Sequence, residues 1–171
     1  MPANDLLNEL ASRHEITQIL YRFARAADRC DEALFRSLYH PDASVDHGGM
    51  FAGTAARFIE IVVPMLKGIG PTTHFILNTL IDLQGDKASC EAYALHCHRL
   101  EKDGAPFDSV FALRHLHRFE KRGGEWKIAH HQVVFDWNRD APAADTWAKG
   151  LFGPTFHRGA KDHTDPLYQR G

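Results

Sequence analysis

The chain has 171 residues, 44% apolar and 25% charged, which is enough for one domain with a real core and ordinary for a globular protein. Its formal net charge of −2 gives no reason to expect nucleic acid as a partner, because nucleic-acid-binding domains carry a basic surface. The apolar stretches are too short to span a bilayer, so we expect no membrane partner. The first residues lack a signal-peptide pattern and the three cysteines have no C-x-x-C spacing, so we expect a cytoplasmic protein with reduced thiols.

Three helices are predicted in the first part of the chain. Residues 6–28 form an amphipathic helix, because apolar side chains recur there every three or four residues. A short helix follows over residues 32–38 with Asp31 as its N-cap, and a third covers residues 55–66 with Thr54 as its cap. Between these two, residues 43–47 are predicted as a short strand.

Four long strands are predicted after the helices. They cover residues 72–83, 88–101, 107–120 and 126–137, and each connection between them contains glycine, as hairpin turns require. Long strands twist and curl, so the sheet should wrap around the helices. We infer an α+β fold in which N-terminal helices pack in the concave side of a curved, mainly antiparallel sheet. This domain is expected over residues 1–140, with residues 141–171 as its irregular C-terminal arm.

One acidic residue of the first helix is unusual for its position. Asp28 lies four residues after Ala24 and eight after Leu20, so all three share one helix face, and that face is apolar. The carboxylate is therefore predicted to point inward, where burial demands a hydrogen-bond donor. The alternative is that Asp28 only ends the helix and faces water.

The first long strand opens with a histidine. His74, Ile76 and Asn78 share one face of this strand, and we interpret that face as a cavity lining, while Phe75 and Leu77 belong to the other face and to a core. The alternative is a histidine that forms its hydrogen bonds at the strand edge. If Asp28 and His74 meet, the carboxylate orients the imidazole, which can then act as a general base.

Further candidates line the predicted pocket. His96 and His98 share a face of the second long strand with small residues, which leave room for a substrate, and Tyr21 and Asn78 could add a hydroxyl and an amide. His96, His98 and His74 could also suggest a metal. Zinc sites, however, require three or four convergent ligands with supporting contacts, so we predict no metal and no cofactor.

Two histidines of the third strand, His115 and His117, alternate in the same way. We interpret them as surface or core-edge residues, without a role in the site.

An ordered set of motifs runs through the chain. The motifs are Leu10-Ala11-Ser12-Arg13, Ile19-Leu20-Tyr21, Asp28, Thr73-His74, Gly85-Asp86-Lys87-Ala88 and Gly124-Glu125-Trp126-Lys127-Ile128. In this order they resemble the SnoaL-like branch of the nuclear transport factor 2-like superfamily. The nearest likeness is to scytalone dehydratase, hexachlorocyclohexane dehydrochlorinase and bile acid 7α-dehydratase, over roughly residues 8–140.

The resemblance implies a cone-shaped α+β barrel and an Asp–His dyad on Asp28 and His74, with no metal. It also shows a departure. The dehydrochlorinase and the bile acid dehydratase use an arginine on the last strand, and at about that place this chain reads Ala129-His130-His131. Either His131 supplies positive charge to the substrate instead, or the leaving group differs.

The sequence thus predicts a cofactor-independent lyase, a dehydratase acting on a small hydrophobic cyclic or polycyclic substrate. A ketosteroid-isomerase-like isomerase or a polyketide cyclase would use the same dyad, and a non-catalytic ligand-binding module is the third reading. A curved sheet of this size leaves a broad face uncovered, so we also expect a homo-oligomer, either a dimer or a trimer.

Overall fold

The structure, a computed structural model, describes residues 3–144, 153 and 155–170. The helices are α1 (Ala3–Arg29), α2 (Glu32–Ser37) and α3 (Ala55–Gly68). The strands are β1 (Tyr39–Asp46), β2 (Ala52–Thr54), β3 (Thr72–Gln84), β4 (Lys87–Lys102), β5 (Ala105–Arg122) and β6 (Glu125–Pro142). Short 3-10 turns occupy Gly48–Met50 and Pro166–Gln169. Among the described residues, no helix combines the length and the apolar character needed to cross a membrane.

The described strands form a single curved sheet that does not close. Its order is β2-β1-β6-β5-β4-β3, and every neighbouring pair is antiparallel except β1 and β6, which run parallel. The helices pack against this sheet, with α1 lying on β3 and β6. The predicted α+β class, with N-terminal helices on a mainly antiparallel curved sheet, is confirmed.

The helix caps form as their residue types predict. The Asp31 carboxylate accepts the backbone N–H of Leu34 at 2.9 Å, and the Thr54 hydroxyl accepts that of Arg57 at 3.3 Å. The apolar face of α1 buries Leu20 completely, and Phe23 is 4% exposed. This packing brings the C-terminal end of α1 to the first residues of β3.

Strand β1 begins earlier than predicted, at Tyr39 rather than at residue 43. Pro41 lies within this strand, where the register against β6 shifts between Tyr39 and Ser44. A proline has no N–H to donate to a ladder, so a strand tolerates it at such an irregularity.

A β-bulge divides strand β3. Ile76 pairs with Ala94 and Thr79 with Ala92, so Leu77 and Asn78 together lie opposite the single residue between those partners. His74 and Ile76 face the helices before the bulge, whereas Thr79 does so after it. The prediction that Phe75 and Leu77 belong to the core is wrong: each side chain is 49% exposed.

The last described segment, residues 155–170, lies against the ends of the helices. The Lys161 ammonium donates to the backbone carbonyls of Leu66, Ile69 and Gly70 at the end of α3. Arg29 at the end of α1 pairs with Asp165 at 2.9 Å. Of the arm predicted over 141–171, residues 145–152, 154 and 171 lie outside the described residues.

Candidate active site

Asp28 and His74 form a buried pair between α1 and β3. The Nδ1 atom of His74 lies 2.6 Å from Oδ1 of Asp28, and the backbone N–H of His74 donates to Oδ2 at 3.0 Å. The side chains are 6% exposed for His74 and 9% for Asp28. A carboxylate can only accept hydrogen bonds, so it places the imidazole proton on Nδ1. The Nε2 lone pair of His74 is then available as a base.

His98 lies directly beside that lone pair. Its Nε2 is 3.3 Å from Nε2 of His74 and, with the His74 proton on Nδ1, donates to it. The neighbouring His96 packs its ring on His74 with ring centroids 4.0 Å apart. Both come from β4, where Thr72 pairs with His98 and His74 pairs with His96. The register of the β3–β4 hairpin therefore assembles the three imidazoles.

A chain of hydrogen bonds runs from this group into the core. His96 Nε2 lies 3.1 Å from Nε2 of His115, and His115 Nδ1 lies 2.8 Å from Nε2 of His131. His131 Nδ1 ends the chain at the Tyr39 hydroxyl, 3.1 Å away. When the Tyr39 hydroxyl donates to Nδ1 of His131, His131 in turn donates to His115. His115 then donates to Nε2 of His96, so His96 carries its own proton on Nδ1.

Burial keeps these imidazoles in the neutral form. Loss of solvation lowers the pKa of His98 to about 4. It also lowers the pKa of His96, His115 and His131 well below the ordinary value, and the neighbouring histidines add to this effect. The group therefore lies beside Asp28 without adding positive charge at neutral pH.

A cavity of about 900 Å³ opens next to the pair. Asp28 and His98, whose polar atoms lie within hydrogen-bond distance of His74, both line it, and Arg29 with residues 69–73, 97, 99, 108–110 and 157–161 forms the rest of its wall. This volume is within the range of small-molecule sites, roughly 300–1,000 Å³. The C-terminal segment thus supplies one side of the cavity.

Two of the proposed substrate-binding residues lie away from this cavity. Tyr21 is 50% exposed on α1. Asn78 is exposed because the bulge in β3 turns it to the outer face together with Leu77. The sequence pattern assumed an uninterrupted alternation along the strand, and one extra residue reverses it.

His131 also lies elsewhere than expected. It is completely buried, its two ring nitrogens face Tyr39 and His115, and its lowered pKa leaves it uncharged at neutral pH. The interpretation that His131 supplies positive charge to a substrate is therefore corrected. The interpretation of His115 and His117 as surface or core-edge residues is wrong, since they are 1% and 3% exposed.

Sequence reasoning missed the buried polar members of the core. Both ring nitrogens of His47 and of His117 lack a hydrogen-bond partner among the described residues. Their burial lowers the pKa of His47 to about 4 and that of His117 to about 3. The available signal for His117 was its alternation with His115 on β5, which places both on one face of the sheet. His47, which follows β1, gave no such signal.

Comparison with known sequences agrees with this architecture. The model of the SnoaL-like domain family matches residues 8–132. A curated relative, the terrestric acid biosynthesis cluster protein E of Penicillium crustosum, is 30% identical over 137 residues, which cover 76% of this chain and 86% of that protein.

Solved structures share the fold at lower identity. LinA superposes with a TM-score of 0.71 at 20% identity, covering 82% of this chain and 95% of that one. The hexachlorocyclohexane dehydrochlorinase LinA-type3 of Novosphingobium barchaimii gives 0.69 at 20% identity over 82% and 95%. A protein of Novosphingobium aromaticivorans solved as a candidate scytalone dehydratase gives 0.66 at 18% identity over 80% and 91%. At such identities the likeness establishes the fold alone.

Proposed function

The chain belongs to the SnoaL-like domain family, and we propose that it is a cofactor-independent lyase that eliminates water from a small hydrophobic cyclic or polycyclic substrate. The observation that carries the proposal is the 2.6 Å contact between Asp28 Oδ1 and His74 Nδ1 beside a cavity of substrate size. Two of the structural neighbours are named for eliminations, a dehydrochlorination and a dehydration, and the curated relative is named for a biosynthesis cluster.

The reaction begins at Nε2 of His74. This nitrogen takes a proton from a substrate carbon, and Asp28 stabilises the imidazolium that forms. The electrons of the broken C–H bond form a carbon–carbon double bond as the C–O bond to the leaving hydroxyl breaks. The imidazolium then returns its proton to that hydroxyl, which departs as water.

His98 controls access to the base. His98 Nε2 lies 3.3 Å from His74 Nε2, and His98 lines the cavity. A substrate that enters from the cavity therefore displaces His98 from the Nε2 atom of His74. A neutral His98 does not repel the imidazolium that forms on His74, and its lowered pKa keeps it neutral. We assign His98 to positioning the base and His96 to supporting the His74 ring.

An isomerase or cyclase is the second candidate. The same Asp28–His74 contact favours it, because the imidazolium formed on His74 could return the abstracted proton to a different atom of the substrate instead of to a leaving group. The two reactions differ in outcome: elimination releases water and creates new conjugation, whereas isomerisation conserves the mass of the substrate.

The direct test is a substrate screen with a His74 variant. Cyclic hydroxy-ketones and steroids are followed by ultraviolet absorbance for new conjugation and by mass spectrometry for loss of water. His74→Ala should lower turnover by about 10²–10⁴-fold, which is the usual worth of general acid–base catalysis. His14→Ala, at an exposed position of α1, is the matched control and should retain full activity.

A melting temperature of His74→Ala close to that of the wild type would assign the loss to chemistry. Undiminished turnover by this variant would refute the dyad, and tight binding of the compounds without any product would favour the non-catalytic ligand-binding module.

We also propose that the protein works as a homo-oligomer, a dimer or a trimer, in the cytoplasm. Exposed apolar side chains on the outer face of the sheet, Phe75, Leu77 and Tyr93, support a contact between copies of the chain. The experiment for this contact is given in the Discussion.

A further inference from the structure

Three imidazoles converge at the wall of the cavity. His74, His96 and His98 each offer one ring nitrogen within 4.8 Å of the other two. Nε2 of His74 and Nε2 of His98 are 3.3 Å apart. Zinc holds nitrogen ligands at about 2.0–2.1 Å in a tetrahedron, which separates two such nitrogens by about 3.3 Å. We propose that these three histidines bind a divalent transition-metal ion of the zinc type.

The partners behind two of the rings favour this role. Asp28 accepts from Nδ1 of His74 at 2.6 Å and so directs Nε2 toward the other two rings. His96 Nε2 lies 3.1 Å from Nε2 of His115, so the ring can offer Nδ1 to an ion when its proton is on Nε2. This requires the hydrogen-bond chain to run in the opposite direction from the one described above, with His96 donating to His115 and His131 donating to the Tyr39 hydroxyl. A metal-binding histidine usually donates its other N–H to a carboxylate or another acceptor, because this contact fixes the ring and strengthens the ligand. The Asp28–His74 contact has that form.

The position of the cluster also suits an ion that exchanges with solvent. His98 lines the cavity, so an ion held by the three rings has a route of entry. Three protein ligands leave a fourth tetrahedral position for water or another small ligand, as in catalytic rather than structural zinc sites.

A second histidine cluster in the core is less suited to an ion. His115, His117 and His131 also bring their nitrogens within 4.8 Å of one another, but all three are buried. His117 stacks on His131 with the ring planes 13° apart and the centroids separated by 4.5 Å. The lone pairs of an imidazole lie in the ring plane, so two stacked rings direct them in parallel rather than toward one point. We therefore assign the ion to the cluster at the cavity.

The ion and the proposed base use the same atom. Nε2 of His74 cannot coordinate a metal and take a proton from carbon at the same time. This consequence rests on the proposed function: metal binding inhibits the elimination, and a chelator restores it. The sequence named the same three histidines but predicted no metal, because a zinc site requires convergent ligands with supporting contacts. The convergence is visible only in the structure.

The test measures metal binding directly. The protein is treated with a chelator, dialysed and titrated with Zn²⁺ by calorimetry, and Co²⁺ is then added as a spectroscopic probe. We expect one ion per chain and the visible absorption bands of four-coordinate cobalt. His98→Ala should weaken Zn²⁺ binding by at least about 10-fold and abolish the bands. His14→Ala, on the exposed side of α1, should bind as the wild type does.

His98→Asn serves as a second variant if circular dichroism shows that the alanine variant does not fold. Absence of Zn²⁺ binding by the wild type, or equal binding by wild type and the His98 variants, overturns the proposal. The two hypotheses fail separately. A protein that eliminates water but does not bind Zn²⁺ refutes only the metal site, whereas one that binds Zn²⁺ but turns over nothing in the screen refutes only the lyase.

Discussion

Asp28 contacts His74 through both carboxylate oxygens, one on the ring and one on the backbone N–H. Both of these groups of His74 are donors. A carboxylate can accept from both, whereas an amide offers one oxygen and one NH₂ group. The chemical identity of this side chain, and not only its size, therefore determines how the imidazole is held.

Asp28→Asn is expected to lower kcat by about 10²-fold or more while KM changes less, because the variant can no longer stabilise the imidazolium. Steady-state kinetics on a substrate found in the screen checks this. Asp82→Asn, at an exposed position of β3, is the control and should leave both constants unchanged. Full kcat in Asp28→Asn would mean that His74 acts without a carboxylate partner.

Residue spacing made Asp28 and His74 candidates, the family resemblance paired them, and neither source predicted the hydrogen bonds around them. Helical spacing placed Asp28 on the apolar face of α1, and β-strand alternation placed His74 at the start of β3. The chain from His96 to Tyr39 could not be predicted in this way, because its hydrogen bonds join four elements and depend on the register between β1 and β6.

At the level of the elements, the bulge in β3 decides which side chains face the cavity. Predicted strand bounds agreed with the structure to within a few residues, yet Asn78 was assigned to the wrong face, because the bulge reverses the alternation after Ile76. Phe75 and Leu77 lie on the face opposite His74 as predicted, but that face is exposed and not part of a core. A bulge leaves no reliable mark in a sequence of alternating apolar residues, whereas the glycines of the three hairpin turns do mark their positions through positive φ angles.

The exposed outer face of β3 and β4 leads to a prediction about assembly. Leu77→Glu introduces a charge among exposed apolar side chains and should convert the oligomer to a monomer, because an uncompensated charge in an apolar interface is strongly unfavourable. Sedimentation velocity measures the change. Ala11→Glu, on the exposed side of α1, is the control and should leave the wild-type mass unaltered. A monomeric wild type would contradict the prediction.

For the whole molecule, the buried histidines couple stability to pH. His47 and His117 have pKa values of about 4 and about 3 in the folded protein, because burial disfavours their charged forms. In the unfolded chain an imidazole titrates near about 6.5, so below that pH the unfolded state binds more protons. Stability is therefore fully present above about pH 6.5 and is lost as the pH falls toward the folded values.

Each histidine of this kind should contribute up to about 1.4 kcal/mol of lost stability per pH unit in that window. Denaturant unfolding of the wild type between neutral and mildly acidic pH should show a steep decline in the free energy of unfolding. His117→Leu should reduce the slope of the free energy of unfolding against pH by the amount that corresponds to one bound proton. His14→Gln should leave this slope unchanged. A pH-independent free energy in the wild type would refute the assignment of neutral buried imidazoles.

Leu77 and Asn78 together lie opposite Tyr93, so the orientation of the Asp28–His74 pair depends on the number of residues in β3 as well as on their types. Because strand side chains alternate with a period of two, deleting one residue at Leu77–Asn78 would turn either His74 or residues 79–83 to the opposite side of the sheet. In the first case, loss of a single codon separates the imidazole from Asp28 while both residues remain in the sequence. Among homologues, a gap at this point would identify copies that keep the motif but have lost the geometry.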